Sequence, residues 1–112
     1  MSSSFVALDS SDGFITEVDV RMGIPSLTII GMPDRQVREI RETVRCALLN
    51  RGYDFPLKRI TVNILPMRAR RSGPSSETAY LVALALLAAT GQRALPDGPI
   101  GPVELDLQGT TL

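Results

Sequence analysis

From Ala79 to Ala89 the chain reads AYLVALALLAA, eleven residues without a charge. A helix that is apolar on all sides must be covered on most of them, by lipid or by other parts of the protein. Crossing a bilayer takes about 20 such residues, so the run predicts a buried core helix from Ser76 to about Thr90, stopped by Gly91. The other elements must then be arranged around it. At 112 residues the chain has the length of one domain with a real core.

The remaining segments show different periods. Phe5 to Leu8 and Phe14 to Val20 flank the turn formers DSSDG and predict a hairpin. LTIIG, Leu27 to Gly31, is rich in β-branched residues and bounded by Gly and Pro, which predicts a third strand. In MPDRQVREIRETVRCALLNRG, Val37, Ile40, Val44, Ala47 and Leu48 recur at three or four residues, the stripe of an amphipathic helix. Asp34 suits its N-terminal dipole and Gly52 supplies its left-handed stop. Asp34/Arg38, Arg35/Glu39 and Arg38/Glu42 are spaced as i,i+4 pairs on the outer face, and Cys46 falls roughly opposite the apolar stripe. RITVNILP alternates Ile60, Val62 and Ile64 against Thr61 and Asn63, a one-sided fourth strand ended by Pro66. VELDL, Val103 to Leu107, alternates like a last strand. The expectation is an α+β domain with a mixed sheet of about five strands and two main helices, in the order βββαβαβ, occupying residues 1–112 as one unit.

Composition excludes several functions. Twelve basic residues balance twelve acidic ones, so no overall charge marks a polyanionic partner, and a nucleic-acid role has to rest on local clustering. There is no histidine and Cys46 is the sole cysteine, so neither an internal disulfide nor a thiolate metal cluster can form. A reducing, cytoplasmic setting is expected. The start MSSSFVALDSSDGF lacks a basic region followed by a long apolar stretch, so no secretory signal and no membrane partner are expected.

The stretch GIPSLTIIGMPDRQVREIRETVRCALLNRGYDFPLKRITVNILP, followed by an Ala/Leu helix ending AATGQ, resembles the N-terminal domain of magnesium-chelatase-like AAA+ ATPases of the ComM/YifB type. The resemblance covers residues 23 to 92. It rests on Gly23 to Pro25, the IIGMPD strand end, the VREIRETVRCALLNRGYDFP helix and turn, and RITVNILP. It implies the fold shared with the Lon protease domain and the second domain of a small-subunit ribosomal protein. It also implies hexameric ATPases acting on branched or single-stranded DNA in recombination and natural transformation, with ATP and Mg bound by a following domain. This chain has no Gly-x-x-x-x-Gly-Lys-Ser/Thr phosphate cradle, so no cofactor is expected within it. It is expected to be the first domain of a longer AAA+ protein, ending near residue 112, with that protein's AAA+ domain as partner.

Before the second helix the chain departs from the family pattern. MRARRSGPSSETAYL stands where relatives have a Gly-Gly-like turn and a Phe-Asp-Leu-Pro-like helix start. The Gly-Pro-Ser turn is similar to the one carrying the nucleophilic serine of Lon proteases, which makes Ser75 the matched candidate for a serine-lysine peptidase. A serine needs a neighbouring base. No lysine follows Ser75, and Lys58, the single lysine, precedes a strand about 20 Å long at ~3.3 Å per residue. The competing reading, preferred here, has Ser75 or Ser76 capping the helix, with Glu77 favouring its dipole. No catalytic and no metal-binding residue is therefore assigned.

Arg68, Arg70 and Arg71 lie within four positions on a loop, able to grip a nucleic-acid backbone without reading bases, while Lys58-Arg59 is expected at the opposite end of the strand that leads there. The five aromatic residues do not interleave with the three arginines, so the stacking signature of a single-strand binder is absent. Three functions remain open: an accessory or oligomerisation domain of a DNA-processing ATPase, a Lon-type serine peptidase, and a stand-alone binding or scaffold domain.

Overall fold

The computed structural model describes residues 3–66 and 73–112. Four strands and two helices follow in the order β1 (Ser3–Asp9), β2 (Ile15–Arg21), β3 (Ser26–Ile29), α1 (Asp34–Asn50), β4 (Arg59–Leu65) and α2 (Ser75–Ala89). The sheet order is β1-β2-β4-β3. β1 pairs with β2, and β2 with β4, antiparallel, while β3 pairs with β4 parallel. A parallel pair cannot be closed by a tight turn, and α1 is the crossover between β3 and β4.

Register divides the sheet into two faces, because side chains alternate along each strand. Val6, Val18, Val62 and Ile29 align across all four strands, as do Val20, Ile60 and Leu27 on three of them. Apart from Val6, which is half-buried, all are buried. The opposite face carries Phe5, Glu17, Asp19 and Thr28 and has no second layer among the described residues. Both helices cover the apolar face. α2 packs against β1, β2 and α1, and α1 also meets β3. The predicted stripe is the buried face of α1: Val37, Ile40, Val44, Ala47 and Leu48. In α2 every residue from Leu81 to Leu87 is buried, as an all-apolar helix held between a sheet and a second helix requires. Gly52 and Gly91 follow the two helices at φ 81° and 71°.

Two sequence expectations are corrected. Val103–Leu107 is not a strand, so the sheet has four strands and not five among the described residues. The segment instead crosses the helix ends: Leu105 N donates to Ser76 O at 3.1 Å, and Asn50 Nδ2 donates to Leu107 O at 2.9 Å. Just upstream of it, Ile100 forms an isolated parallel bridge with Ser10. Pro99 and Pro102 have no N–H to continue that ladder. The i,i+4 ion pairs also do not close. Among the described residues the ion pairs are Asp19–Arg21 and Glu42–Arg45, and solvated side chains gain only tenths of a kcal/mol from such pairing, about 0.3–0.5.

Gln92 ties the turn after α1 to the end of α2. Its Oε1 accepts from Asp54 N at 2.8 Å, and its Nε2 donates to Asp54 O and Thr90 Oγ1, both at 2.9 Å. Gln92→Ala is expected to lower the unfolding free energy by about 1–2 kcal/mol, since three bonds that are largely exposed to water each contribute at the low end of the net range, roughly 0.5. Gln92→Glu keeps the acceptor and loses the donor, so it should fall between the two in urea denaturation. Equal midpoints for all three proteins would show that water replaces the brace.

Thr16 is, with Ser10 and Thr78, one of three buried polar residues among those described, and the most enclosed. Its side chain is fully enclosed and Oγ1 has no hydrogen-bond partner among the described residues, between Leu8 and Ile64 in the register. Valine has the same shape without the hydroxyl, so Thr16→Val is expected to leave stability unchanged or raise it by up to about 1–2 kcal/mol, the penalty of an unpaired buried hydroxyl. A lower thermal midpoint would mean that the hydroxyl has a partner.

Candidate functional site at the start of the second helix

The α2 start is built by Gly73-Pro74-Ser75-Ser76. Pro74, at φ −70° and ψ 150°, occupies the N-cap position, and its carbonyl accepts from Glu77 N at 3.0 Å. Ser75 is already the first helical residue, and no side chain among the described residues caps the helix. The capping role expected of Ser75 or Ser76 is therefore corrected. A capping hydroxyl must come from the extended residue that precedes the helix, and proline holds that place. Ser76 Oγ instead donates to Glu104 Oε1 at 2.7 Å. Glu77 lies in the first turn, as its charge favours.

An open cleft of about 170 Å³ separates this start from the middle of α1, lined by Glu39, Ile40, Thr43, Pro74, Ser75, Ser76 and Ala79. Thr43 Oγ1 is committed to Glu39 O at 3.0 Å. Among the described residues the lining thus offers the Ser75 hydroxyl and the Glu39 carboxylate, with no amine. Lys58 is not among these residues; it sits before β4, where its carbonyl accepts from Ser26 N at 3.2 Å. Arg68, Arg70 and Arg71, the proposed phosphate contacts, lie outside the described residues.

Glu104 was not singled out by sequence reasoning. It lies 28 residues from Ser76, and no local pattern announces that approach. The tail that carries it is pinned by Thr111 Oγ1, which donates to Glu104 O at 2.9 Å, and by Thr110 N, which donates to Asp106 Oδ1 at 2.9 Å. The Thr110 hydrogen bonds hold the Asp106 carboxyl below its ordinary range. On the outer side of α1, Arg45 does the same to Glu42 by hydrogen bond and charge. Half-buried Cys46 places its Sγ 3.6 Å from Glu42 Oε2 and 3.9 Å from Arg45 Nη2.

Fold and cleft define a two-layer α+β domain in which a serine-bearing helix start faces a second helix, with no lysine or arginine among the described residues that line the cleft between them. The chain belongs to the family described as subunit ChlI of Mg-chelatase, whose family model matches residues 16–111. It is similar to the uncharacterized protein YifB of Salmonella typhimurium, 42% identical over 76 residues, or 68% of this chain and 15% of the relative. The competence protein ComM of Haemophilus influenzae is 37% identical over 76 residues, 68% of this chain and 14% of the relative. The uncharacterized protein Rv2897c of Mycobacterium tuberculosis is 32% identical over 93 residues, 81% of this chain and 18% of the relative. The chain thus spans 14 to 18% of the length of these relatives. No described helix is long and apolar enough to cross a membrane.

Proposed function

We propose that this chain is the non-catalytic N-terminal accessory domain of a magnesium-chelatase-like AAA+ ATPase of the ComM type. The observation that carries this reading is the family match across residues 16–111 in a chain without a phosphate-binding loop. Nucleotide chemistry, with ATP and Mg, then falls to a following domain, and a hexameric ring of the whole protein is the assembly this domain serves. The βββαβα order is in keeping with a Lon-protease-like fold. The Haemophilus relative bears the name of a competence protein, which supports a role in natural transformation or recombination; the setting proposed for it is the cytoplasm. Arg68, Arg70 and Arg71 are the residues proposed to meet DNA.

The test uses the full-length protein with and without residues 1–112. Loss of the domain should preserve ATP hydrolysis while weakening ring assembly or DNA affinity, measured by light scattering and anisotropy. Replacing the three arginines by alanine should reduce the salt slope of DNA binding by about two or three, close to one per lost phosphate contact. A reading frame without a P-loop would sink the proposal. Labelling of Ser75 by a fluorophosphonate together with cleavage of an unfolded protein would replace it with the peptidase reading.

A further inference from the structure

Ile24, Leu57 and Met22, at 85%, 76% and 65% exposure, are the most exposed large apolar side chains among the described residues. They gather at one end of the sheet. Arg21 ends β2 opposite Arg59, which begins β4, and Arg59 in turn pairs with Ser26 at the start of β3. Ser26 N donates to Lys58 O at 3.2 Å. Gly23 lies so near that a Cβ there would sit 3.4 Å from Arg59 Cβ. The turn 22–25 and the approach 57–59 therefore run side by side. Pro25 and Pro56 restrict both main chains, so the surface is held in shape before any partner arrives.

Charge at this end is positive. Arg21 is occupied, its Nε holding Asp19 Oδ2 at 2.7 Å, whereas Lys58 and Arg59 have no carboxylate partner among the described residues. Single exposed apolar residues need no explanation, but an adjoining group rimmed by charge marks an interaction surface. A phosphate backbone would satisfy the two cations and leave Met22, Ile24 and Leu57 in water. Phe5, the most exposed aromatic ring among the described residues, stands on β1, with β2 between it and β4, and Phe55, the nearest in sequence, lies 5.8 Å beneath Arg41. We propose that this end of the sheet docks an acidic amphipathic segment of a protein partner, whose apolar side chains cover Met22, Ile24 and Leu57 and whose carboxylates meet Lys58 and Arg59. The inference does not depend on the ATPase reading.

The probe is a fluorescein-labelled peptide of about 15 residues, long enough to turn helical on a surface, with leucines at three- and four-residue spacing and glutamates between them. Its counterpart has lysine for every glutamate. Duplex DNA and phosphatidylglycerol vesicles form two further arms. The glutamate peptide should bind the full chain saturably and the lysine peptide about tenfold more weakly, as charge complementarity sets partner choice. Ile24→Ser with Leu57→Ser should weaken the glutamate peptide by about tenfold or more, the loss of a buried anchor pair, without moving the thermal midpoint, because both residues are exposed. Lys58→Glu with Arg59→Glu should reverse the preference between the peptides. The proposal is overturned by absence of saturable binding, by indifference to the Ile24 and Leu57 changes, or by DNA or vesicle binding that those same two changes abolish.

Discussion

Leu86→Ala should lower the unfolding free energy by about 2–5 kcal/mol, the range for a buried leucine whose cavity cannot fully collapse. Leu86 has no exposed surface, and α2 is held between the sheet and α1, so no side of the helix is free to move in. A domain of this size has about 5–15 kcal/mol in total, and the variant should unfold at far lower urea. Leu49→Ala is the control. Leu49 lies on α1 and is 49% exposed, and away from special features surface changes stay within about 0.5 kcal/mol. Equal effects from the two substitutions would contradict the packing of α2 described above.

Gly109→Ala should be comparably damaging, about 2–5 kcal/mol, combining left-handed backbone strain of about 1–2 with overpacking of about 1–3. At Gly109 φ is 70°, and an added Cβ would lie 2.8 Å from Ala47 O and 2.7 Å from Arg51 Cγ. The arginine side chain can swing aside; the helix carbonyl cannot. Gly91 has nearly the same backbone, φ 71°, with nothing within 4 Å of its would-be Cβ. Gly91→Ala should therefore cost only the left-handed term, about 1–2 kcal/mol. The difference between the two variants in thermal denaturation isolates the contact of the tail with α1. If Gly109→Ala is no worse than Gly91→Ala, the tail does not press on that carbonyl in solution.

These effects bear on the cleft. The tail around Gly109 also carries Leu105, bonded to Ser76 O, and Glu104, which accepts from Ser76 Oγ. Loosening it should release Ser76 from its carboxylate partner and change the wall of the cleft beside Ser75. A resonance shift at Ser76 that accompanies loss of stability in Gly109→Ala would report this link.

What could be read in the chain was periodic and local. The hairpin, the third and fourth strands and both helices follow from alternation, three-to-four spacing and glycine stops. The stripe of α1 was legible residue by residue because a surface helix has one buried face and repeats it every turn. Family membership was legible for a related reason, since GIP, IIGMPD and RITVNILP are short contiguous runs. The apolar stretch 79–89 announced a covered helix, and the sheet and α1 do cover it.

The tertiary structure decided where contacts join residues far apart in sequence. VELDL has the alternation of a strand, but a strand also needs a neighbouring edge, and this segment is committed to the helix ends through Ser76 and Asn50. Ser75 has the chemistry of a cap, but capping depends on which residue is the last extended one, and that place went to Pro74. The brace at Gln92, the pairing of Ser76 with Glu104, and the placing of the turn 22–25 beside the approach 57–59 leave no local period to read. Sequence by itself determined which segments would be helix or strand, because periodicity states which face must leave water. Only the folded chain decided which ends meet, because that depends on the path of the backbone between elements and not on any one element's pattern.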